Sequence, residues 1–300
     1  PYKSLLTHGF VVDGQGYKMS KSKGNVIAPQ KIMDQYGADI LRLWVATTDY
    51  SGELNISNEI IKRVSESYRR IRNTLRFLSA NLEDFDSKKM LINPKEMLTI
   101  DRYGLYLVEE LQNSIIKDYE AFDFYLAMQK FLSFCSEDMG GFYLDILKDR
   151  LYTTAENSHG RRSAQTTLFH ITQSLIRLMA PVLSFTAEEL WNVVNKDNKS
   201  TIFVENWYEL PSHGLSEKEL LGWQHALDVR NLAKKKIEAL REGGIVGSSL
   251  QAELKISAPS DIYKSLSFFE DELKYILITS NSSLDESQKD LEIEVNFLLS

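Results

Sequence analysis

The segment that decides the fold of the first part of the chain is DGQGYKMSKSKGN, at residues 13–25. An extended apolar run at residues 5–13 leads into it and is typical of a β-strand. Three glycines within the segment let the backbone turn sharply. Pro29 suits the first turn of a short helix that stops at Gly37, and residues 39–47 predict a second, buried helix. A strand, a glycine-rich loop and a helix in this order indicate the edge of an α/β nucleotide-binding domain.

The loop carries two lysines, Lys18 and Lys21, with Met19 and Ser20 between them. Two ammonium groups at this spacing can reach the oxygens of one polyphosphate, and backbone N–H groups of the turn can add donors. Preorganised cations there would stabilise the negative charge that builds up when pyrophosphate is displaced from an α-phosphate. On spacing alone, the pattern favours the alternative of a solvated lysine-serine loop, because most lysine clusters are solvated.

From about Ser57 the apolar pattern becomes helical. Between residues 61 and 82 the apolar side chains recur at alternating spacings of three and four and form one stripe. Further helical patterns cover residues 96–119, 121–139, 142–151 and 161–180. Pro181 interrupts them, and Thr186 with Glu189 indicates a capping box at the start of the next helix. These segments predict an α-helical bundle that ends near residue 200.

The last third of the chain has a mixed pattern. Ser216 with Glu219 predicts the capped start of a helix that ends at Gly243-Gly244. Three short apolar or alternating segments predict β-strands, at residues 252–256, 276–279 and 291–297. We expect a small α+β domain here.

The helix predicted over residues 57–82 is basic on one side. At about 100° per residue, four side chains fall along one flank of its apolar stripe: Lys62, Arg69, Arg72 and Arg76. Such a row can follow an RNA backbone and contact phosphates without reading bases. The residues alone support equally well a solubilising face whose arginines pair with carboxylates of neighbouring helices. A second basic run is more typical of a solvated helix face and comprises Arg230, Lys234, Lys235, Lys236 and Arg241.

The composition is that of a globular protein, with 43% hydrophobic and 26% charged residues among 300. A net charge of −7 argues against a protein that coats nucleic acid over its whole surface, but it allows a local basic footprint. No run approaches the roughly 20 apolar residues of a membrane span, and no secretory signal is present. The single cysteine, Cys135, is expected to be a core residue in a reducing compartment. We therefore expect a cytoplasmic protein with no membrane partner and, because it starts at Pro1 without methionine, a fragment.

The segment KMSKSKGN at residues 18–25 is similar to the second signature of class I aminoacyl-tRNA synthetases. The flanks YGADILRLWVA at residues 36–46 and YRRIRNT at residues 68–74 resemble the bacterial isoleucine enzymes more than their valyl, leucyl and methionyl relatives. The resemblance continues through APVLSFTAEELW at residues 180–191. This context reverses the interpretation of the loop. It implies that Lys21 is the principal ligand of the ATP phosphates, assisted by Lys18, with Met19 and Ser20 also at the ATP site.

The resemblance implies a mixed, mostly α fold in three parts. Residues 1–56 would be the C-terminal edge of a Rossmann-type catalytic domain that carries the lysine loop. Residues 57–205 would be an α-helical anticodon-binding domain, opened by the basic linking helix at residues 57–82. Residues 206–300 would be a small α+β junction domain.

The resemblance also implies ATP-dependent activation of isoleucine, with Mg²⁺, and its transfer to tRNA(Ile) by a monomeric enzyme. It implies tRNA contact along Lys62, Arg69, Arg72 and Arg76, which favours the RNA interpretation of that helix. The family's first signature, His-x-Gly-His, is absent, and its cysteine zinc site would fall beyond Ser300. We therefore expect no metal site in this chain and no adenylate formation by the chain alone. The alternatives are a valyl- or leucyl-type fragment, a non-catalytic tRNA-binding module and a helical interaction protein.

Overall fold

A computed structural model describes residues 2–195, 200–243, 251–287 and 290–297 of the protein. These residues form two compact units that divide between Ser212 and His213. Most of the described residues are helical, and the strands form two small sheets. This confirms the mixed, mostly α fold. The three-part division with boundaries at residues 56 and 205 stays a prediction.

The first unit opens with a two-stranded parallel sheet. Strand β1 spans Val11–Asp13 and strand β2 spans Leu54–Ile56, with Val11 opposite Leu54. Helix α1 (Pro29–Tyr36) and helix α2 (Ala38–Ala46) lie between the two strands in the chain. A parallel pair connected through helices is the α/β arrangement that the loop pattern predicted.

The strand predicted at residues 5–13 is only three residues long in the structure. Leu5, Leu6 and Phe10 are exposed, and only the last part of the run has a partner strand in β2. Apolar composition alone made this run look like a long buried strand. A strand also needs a neighbour for its backbone groups, and β2 provides that neighbour only from Leu54 to Ile56.

The rest of the first unit is a helical bundle. Its helices are α3 (Asn58–Ala80), α4 (Ser87–Met90), α5 (Thr99–Glu120), α6 (Phe124–Ser133), α7 (Leu144–Thr153), α8 (His159–Met179) and α9 (Ser184–Val194). A π-helix at Phe134–Tyr143 joins α6 to α7. Ile71, Leu78 and Phe131 are fully buried, and Cys135 is buried as expected. The bundle predicted from apolar periodicity is confirmed.

The capping box predicted at Thr186 and Glu189 is wrong. Helix α9 begins at Ser184, and its N-cap residue, Leu183, makes no side-chain capping bond. The Thr186 hydroxyl and the Glu189 carboxylate instead bind side chains of α2 and α3. The local motif was present, but tertiary partners use both of its side chains.

The second unit combines helices with a three-stranded sheet. Helix α10 (Glu217–Glu242) starts with the predicted Ser216–Glu219 capping box, and Gly244, in its predicted stop, lies outside the described residues. The other elements are β3 (Ala252–Ala258), α11 (Ser260–Leu266), α12 (Leu273–Leu277), β4 (Asn281–Glu286) and β5 (Glu292–Phe297). Strand β3 is central, parallel to β4 and antiparallel to β5. The small α+β unit is therefore as expected.

The strand predicted at residues 276–279 is wrong. Ile276 and Leu277 end helix α12, and Ile278 turns the backbone with a φ of 54°. Strand β4 begins only at Asn281. A short apolar run is compatible with a buried helix end as well as with a strand, so periodicity could not separate the two.

None of the helices in the described ranges is both long enough and apolar enough to cross a membrane.

Candidate phosphate loop and nucleic-acid interface

The lysine loop is held closed at its base by two side chains, Asp13 and Asn25. The Asn25 amide donates to Asp13 Oδ2 (2.8 Å) and to the carbonyl of Lys18 (3.3 Å), and its Oδ1 accepts the N–H of Ser20 (2.9 Å). Asp13 Oδ1 accepts the backbone N–H groups of Gln15 (3.0 Å) and Tyr17 (2.9 Å). These bonds join the two ends of the loop.

The hydrogen bonds around Asp13 also keep it charged. The amide of Asn25, followed by the N–H of Tyr17, holds the pKa of the Asp13 carboxyl below its usual range. A carboxylate accepts bonds at both oxygens, whereas a protonated carboxyl would lose part of that capacity. The hydrogen bonds of Asp13 and Asn25 that close the base of the loop, which we call the latch, are therefore in place at neutral pH.

The tip of the loop is a short 3-10 turn at residues 21–23. The Ser20 hydroxyl caps it by accepting the N–H of Lys23 (3.3 Å), and Gly24 leaves it with a φ of 69°. A left-handed backbone at Gly24 carries no strain only because glycine has no Cβ. The turn thus presents a fixed backbone to solvent.

Both predicted phosphate-binding lysines are exposed on this loop. Lys18 lies with its Nζ 5.8 Å from the centre of the Phe10 ring, which is itself exposed. Within the described ranges, the Lys21 side chain has no ion pair and no hydrogen bond. Met19 points the other way and packs against the apolar cluster that contains Ile40 and Trp44. The loop is therefore anchored through Met19 and keeps its two cationic groups available.

The latch residues were not identified from the sequence, although both lay in the quoted motif. Their signal was the placement of an aspartate and an asparagine at the two ends of a glycine-rich turn, where these side chains often bond nearby backbone N–H groups.

The predicted basic row lies on helix α3, with three of its four members free. Lys62, Arg69 and Arg76 are exposed, and none has a side-chain ion pair or hydrogen bond in the part of the chain that the structure describes. Their spacings of seven and seven place them on one face of the helix. The geometry of a one-sided basic row is therefore present for these three residues.

Arg72 is engaged with another helix. Its guanidinium binds the Glu189 carboxylate of α9 through two bonds, of 2.6 and 3.0 Å. The hydrogen bonds that Arg72 donates to Glu189 raise the pKa of Arg72 above its ordinary value and lower the pKa of Glu189. Arg72 therefore fits the alternative interpretation of the basic row, in which an arginine pairs with a carboxylate of a neighbouring helix.

The second basic run is largely structural. Arg230 is buried and donates to the carbonyl of Ile276 (2.6 Å), and Lys236 donates to the carbonyl of Ile293 (2.6 Å). Arg241 pairs with Glu238 at 2.9 Å. Because Arg230 and Lys236 bind the backbone of their own unit, this run does not form a continuous solvated face.

No group of three or more metal-ligating side chains occurs among the residues described. Asp13 is the single carboxylate of residues 13–25, and both of its oxygens accept hydrogen bonds within the loop. One carboxylate does not form the ligand set of a protein-held Mg²⁺.

Two family models match parts of the chain. Residues 1–57 match the family of class I tRNA synthetases for I, L, M and V, and this match includes the lysine loop. Residues 101–256, just over half of the chain, match the anticodon-binding domain of tRNA ligase. The chain belongs to this anticodon-binding family of tRNA ligases.

Several similar curated proteins are isoleucine–tRNA ligases. The chain is 55% identical over 282 residues to the isoleucine–tRNA ligase of Thiobacillus denitrificans, covering 94% of this chain and 30% of that protein. It is 52% identical over 303 residues to the isoleucine–tRNA ligase of Bordetella petrii, covering 98% of this chain and 32% of that protein. These relatives confirm the resemblance seen in the motifs. The chain spans about a third of the length of the relatives it matches.

A solved structure supports the fold. Mycobacterium tuberculosis methionyl-tRNA synthetase, in complex with methionyl-adenylate, aligns with a TM-score of 0.52 and 20% sequence identity. The alignment covers 62% of this chain and 37% of that protein. At this identity the likeness concerns the fold alone.

Proposed function

We propose that this chain belongs to an isoleucine–tRNA ligase and supplies two of its parts. The enzyme would activate isoleucine with ATP and transfer it to tRNA(Ile). The lysine loop would hold the ATP phosphates, and the helical bundle would bind the tRNA. The observation that carries the proposal is the pair of exposed lysines, Lys18 and Lys21, on a loop that Asp13 and Asn25 hold in one conformation.

The chemistry assigned to the loop is electrostatic. When the isoleucine carboxylate attacks the α-phosphate of ATP, a bond to the bridging oxygen breaks and negative charge accumulates on the leaving pyrophosphate. The ammonium group of Lys21, assisted by Lys18, would stabilise that charge more strongly than it stabilises bound ATP. Met19 would anchor this part of the site, and the Ser20 hydroxyl caps the turn that presents Lys21. Mg²⁺ would arrive with the nucleotide, because the loop has a single carboxylate, Asp13.

The tRNA contact is assigned to the free part of the basic row on α3. Lys62, Arg69 and Arg76 would neutralise phosphates, whereas Arg72 would act through its bond to Glu189. The family match over residues 101–256 supports a tRNA-binding role for the bundle.

The amino-acid specificity rests on the relatives, since the pocket that selects isoleucine is not among the described sites. The experiment is an aminoacylation assay with an active ligase that contains this chain, in which isoleucine competes with valine and leucine. We expect charging of tRNA(Ile) with isoleucine. Preferential charging with valine or leucine would move the assignment to a related enzyme.

A non-catalytic tRNA-binding module is the second candidate, because the bundle and the basic row do not by themselves require catalysis. Binding of tRNA without any isoleucine-dependent ATP turnover by the protein that carries this chain would favour it. In the proposed role the protein is a monomer and works in the cytoplasm.

A further inference from the structure

Helix α2 lies between the loop-bearing segment and the bundle, and one of its acidic side chains caps a bundle helix. Asp39 is in the first turn of α2 and is 6% exposed. Its Oδ2 accepts the N–H of Thr186 (2.7 Å) and its Oδ1 accepts the N–H of Phe185 (3.3 Å). Both N–H groups belong to the first turn of α9, whose own N-cap residue gives no capping bond. Asp39 therefore provides, from 146 residues away, the cap that α9 lacks.

A third helix joins this contact through one hydroxyl. The Thr186 hydroxyl donates to Asp39 Oδ2 at 2.6 Å, which uses its only proton. The Tyr68 hydroxyl of α3 lies 2.8 Å from the hydroxyl oxygen of Thr186. Tyr68 must therefore donate the hydrogen bond between these two hydroxyl groups. A single chain of hydrogen bonds thus runs from α3 through α9 to α2.

One turn further along α2, Arg42 binds the other side of the same connection. Its Nε donates to the carbonyl of Val182 (2.8 Å) and its NH2 group to the carbonyl of Pro181 (2.8 Å). These carbonyls follow the end of α8 and have no continuing helix. Asp39 therefore satisfies donors at the start of α9, and Arg42 satisfies acceptors just before it. We call these contacts of Asp39 and Arg42 with residues 181–186 the α2 joint.

The opposite face of α2 reaches the lysine loop. Ile40 and Trp44 lie in the apolar cluster against which Met19 of the loop packs. Packed side chains in a core have few alternative arrangements, so a rotation of α2 would displace Met19 and the loop with it. The joint binds one face of α2 to the start of α9, and the cluster, which also contains Ile61 of α3, packs the other face of α2 against the loop.

We infer that Asp39 and Arg42 are positioning residues, which hold the lysine loop in one orientation relative to the bundle that binds tRNA. The inference rests on the proposed function of the loop and the bundle. Asp39 and Arg42 lie three residues apart on α2, and one accepts the N–H groups at the start of α9 while the other donates to the carbonyls just before it. Because each group must meet its own partner, these bonds fix the direction of α2 as well as its position.

The experiment measures the orientation directly. Nitroxide labels are placed at Gln30→Cys on α1 and Asp149→Cys on α7, both exposed positions, while Cys135 is 1% exposed and stays unlabelled. Pulsed electron–electron double resonance then gives the distribution of distances between the two labels, one on the loop-bearing segment and one on the bundle. With Asp39 intact we expect a single narrow distribution, and with Asp39→Ala a broad or shifted one. Asp39→Asn, which keeps one acceptor oxygen, should lie between the two.

The matched control is Asp118→Ala. Asp118 is also a buried carboxylate of the first unit, bound to Lys130 at 2.6 Å, but no hydrogen bond or ion pair joins it to α2 in the part of the chain that the structure describes. Its loss should leave the distribution narrow. Broadening of equal size in Asp118→Ala would show only a general loss of stability and would overturn the inference. Should Asp39→Ala fail to fold, Asp39→Asn and Thr186→Val carry the same comparison.

The functional readout separates the inference from the proposed function. In an active ligase that contains the chain, Asp39→Ala should lower the kcat of amino-acid activation by roughly tenfold or more, because small misplacements of a catalytic group are costly. The dissociation constant for tRNA should stay within about twofold, since the basic row is untouched. An unchanged kcat, or an unchanged distance distribution, refutes the positioning role. If Lys21→Ala leaves activation intact, the proposed function fails instead, whatever the distances show.

Discussion

Two side chains that bracket the lysine loop, Asp13 and Asn25, determine its shape. Their bonds to each other and to backbone groups of residues 15–20 close the base of the loop without using the ammonium groups of the two lysines. A polyphosphate ligand would therefore meet cations that do not first have to break a bond with the latch. This separation between holding the loop and contacting the ligand is what allows the two roles to be tested independently.

Removing the latch should loosen the loop. Asn25→Ala deletes three hydrogen bonds, each worth about 0.5–1.5 kcal/mol, so opening should become at least roughly tenfold easier. The measurement is the rate of trypsin cleavage after Lys18, Lys21 and Lys23, followed by mass spectrometry. Gln15→Ala is the control, because only the backbone of Gln15 takes part in the latch. Equal cleavage of the two variants would mean that Asn25 does not hold the loop.

A buried histidine should make the stability of the bundle depend on pH. Burial lowers the pKa of His170 from 6.5 to about 4, and its Nδ1 lies 2.8 Å from the Tyr208 hydroxyl. Between these two values the unfolded chain binds a proton that the folded chain does not, so stability falls as the pH drops from 6.5 towards 4. At pH 5 this group alone should cost about 2 kcal/mol relative to pH 7.

The measurement for His170 is urea unfolding at pH 7 and pH 5. His170→Gln removes the titration, so its loss of stability between the two pH values should be smaller than that of the unchanged chain by about 2 kcal/mol. The same pH dependence in both proteins would show that His170 is not buried in its neutral form.

Among the single elements, helix α3 carries basic residues of two kinds, one paired with a neighbouring helix and the others exposed. Arg72 lies closest to the apolar face and pairs with Glu189 of α9, whereas Lys62, Arg69 and Arg76 lie further round and have no side-chain partner among the described residues. A helical wheel predicts the order of these positions but not the partner of each. The interface with RNA is therefore expected to be narrower than the four residues that the sequence indicated.

The narrower interface can be tested with two double variants of identical spacing. Arg69→Gln with Arg76→Gln should reduce the slope of log affinity for tRNA against log salt concentration by about 1.5, since two phosphate contacts are lost. Arg63→Gln with Arg70→Gln removes the same charge, also seven residues apart, from further round the helix. That control should change the slope much less. Equal effects from the two pairs would mean that net charge, not the row on α3, sets the affinity.

Elements whose signals are local could be predicted from the sequence. Apolar periodicity located the long helices, and the order of strand, glycine loop and helix located the phosphate loop. The three strands of the second unit show the limit of this reasoning. Two of them were found by alternation, but the apolar residues Ile276 and Leu277 are buried at a helix end, and the third strand lies a few residues later.

Contacts between distant parts of the chain could not be predicted. Asp39 and Thr186 stand 147 residues apart, and Arg72 and Glu189 stand 117 apart. Nothing in the local pattern of either segment indicates its partner. The polar residues of such joints look like ordinary surface charges or caps until the tertiary structure brings them together, which is why Thr186 and Glu189 were misinterpreted as a capping box.

The first unit of the whole molecule contains both candidate sites, the lysine loop and the basic row on α3. It carries an anchored cationic loop beside a small α/β sheet, and a helical bundle of the tRNA ligase family with a free basic row. The α2 joint and the cluster around Trp44 connect them through buried contacts. In a ligase, a connection of this kind would keep the site of adenylate formation in a fixed relation to the bound tRNA.

In the proposed role, the exposed lysines of the loop stabilise the departing pyrophosphate of ATP. The most direct test is isoleucine-dependent ATP–pyrophosphate exchange by an active ligase that contains this chain, comparing Lys21→Ala with Lys23→Ala. Lys23 is exposed in the same turn and lies over the Tyr17 ring, so it controls for charge and for loop integrity. We predict that Lys21→Ala lowers kcat by about a hundredfold or more, which is the usual effect of removing one group that stabilises a transition state. The change in KM for ATP should be much smaller. Equal activity of the two variants, or a loss confined to KM, would contradict the claim.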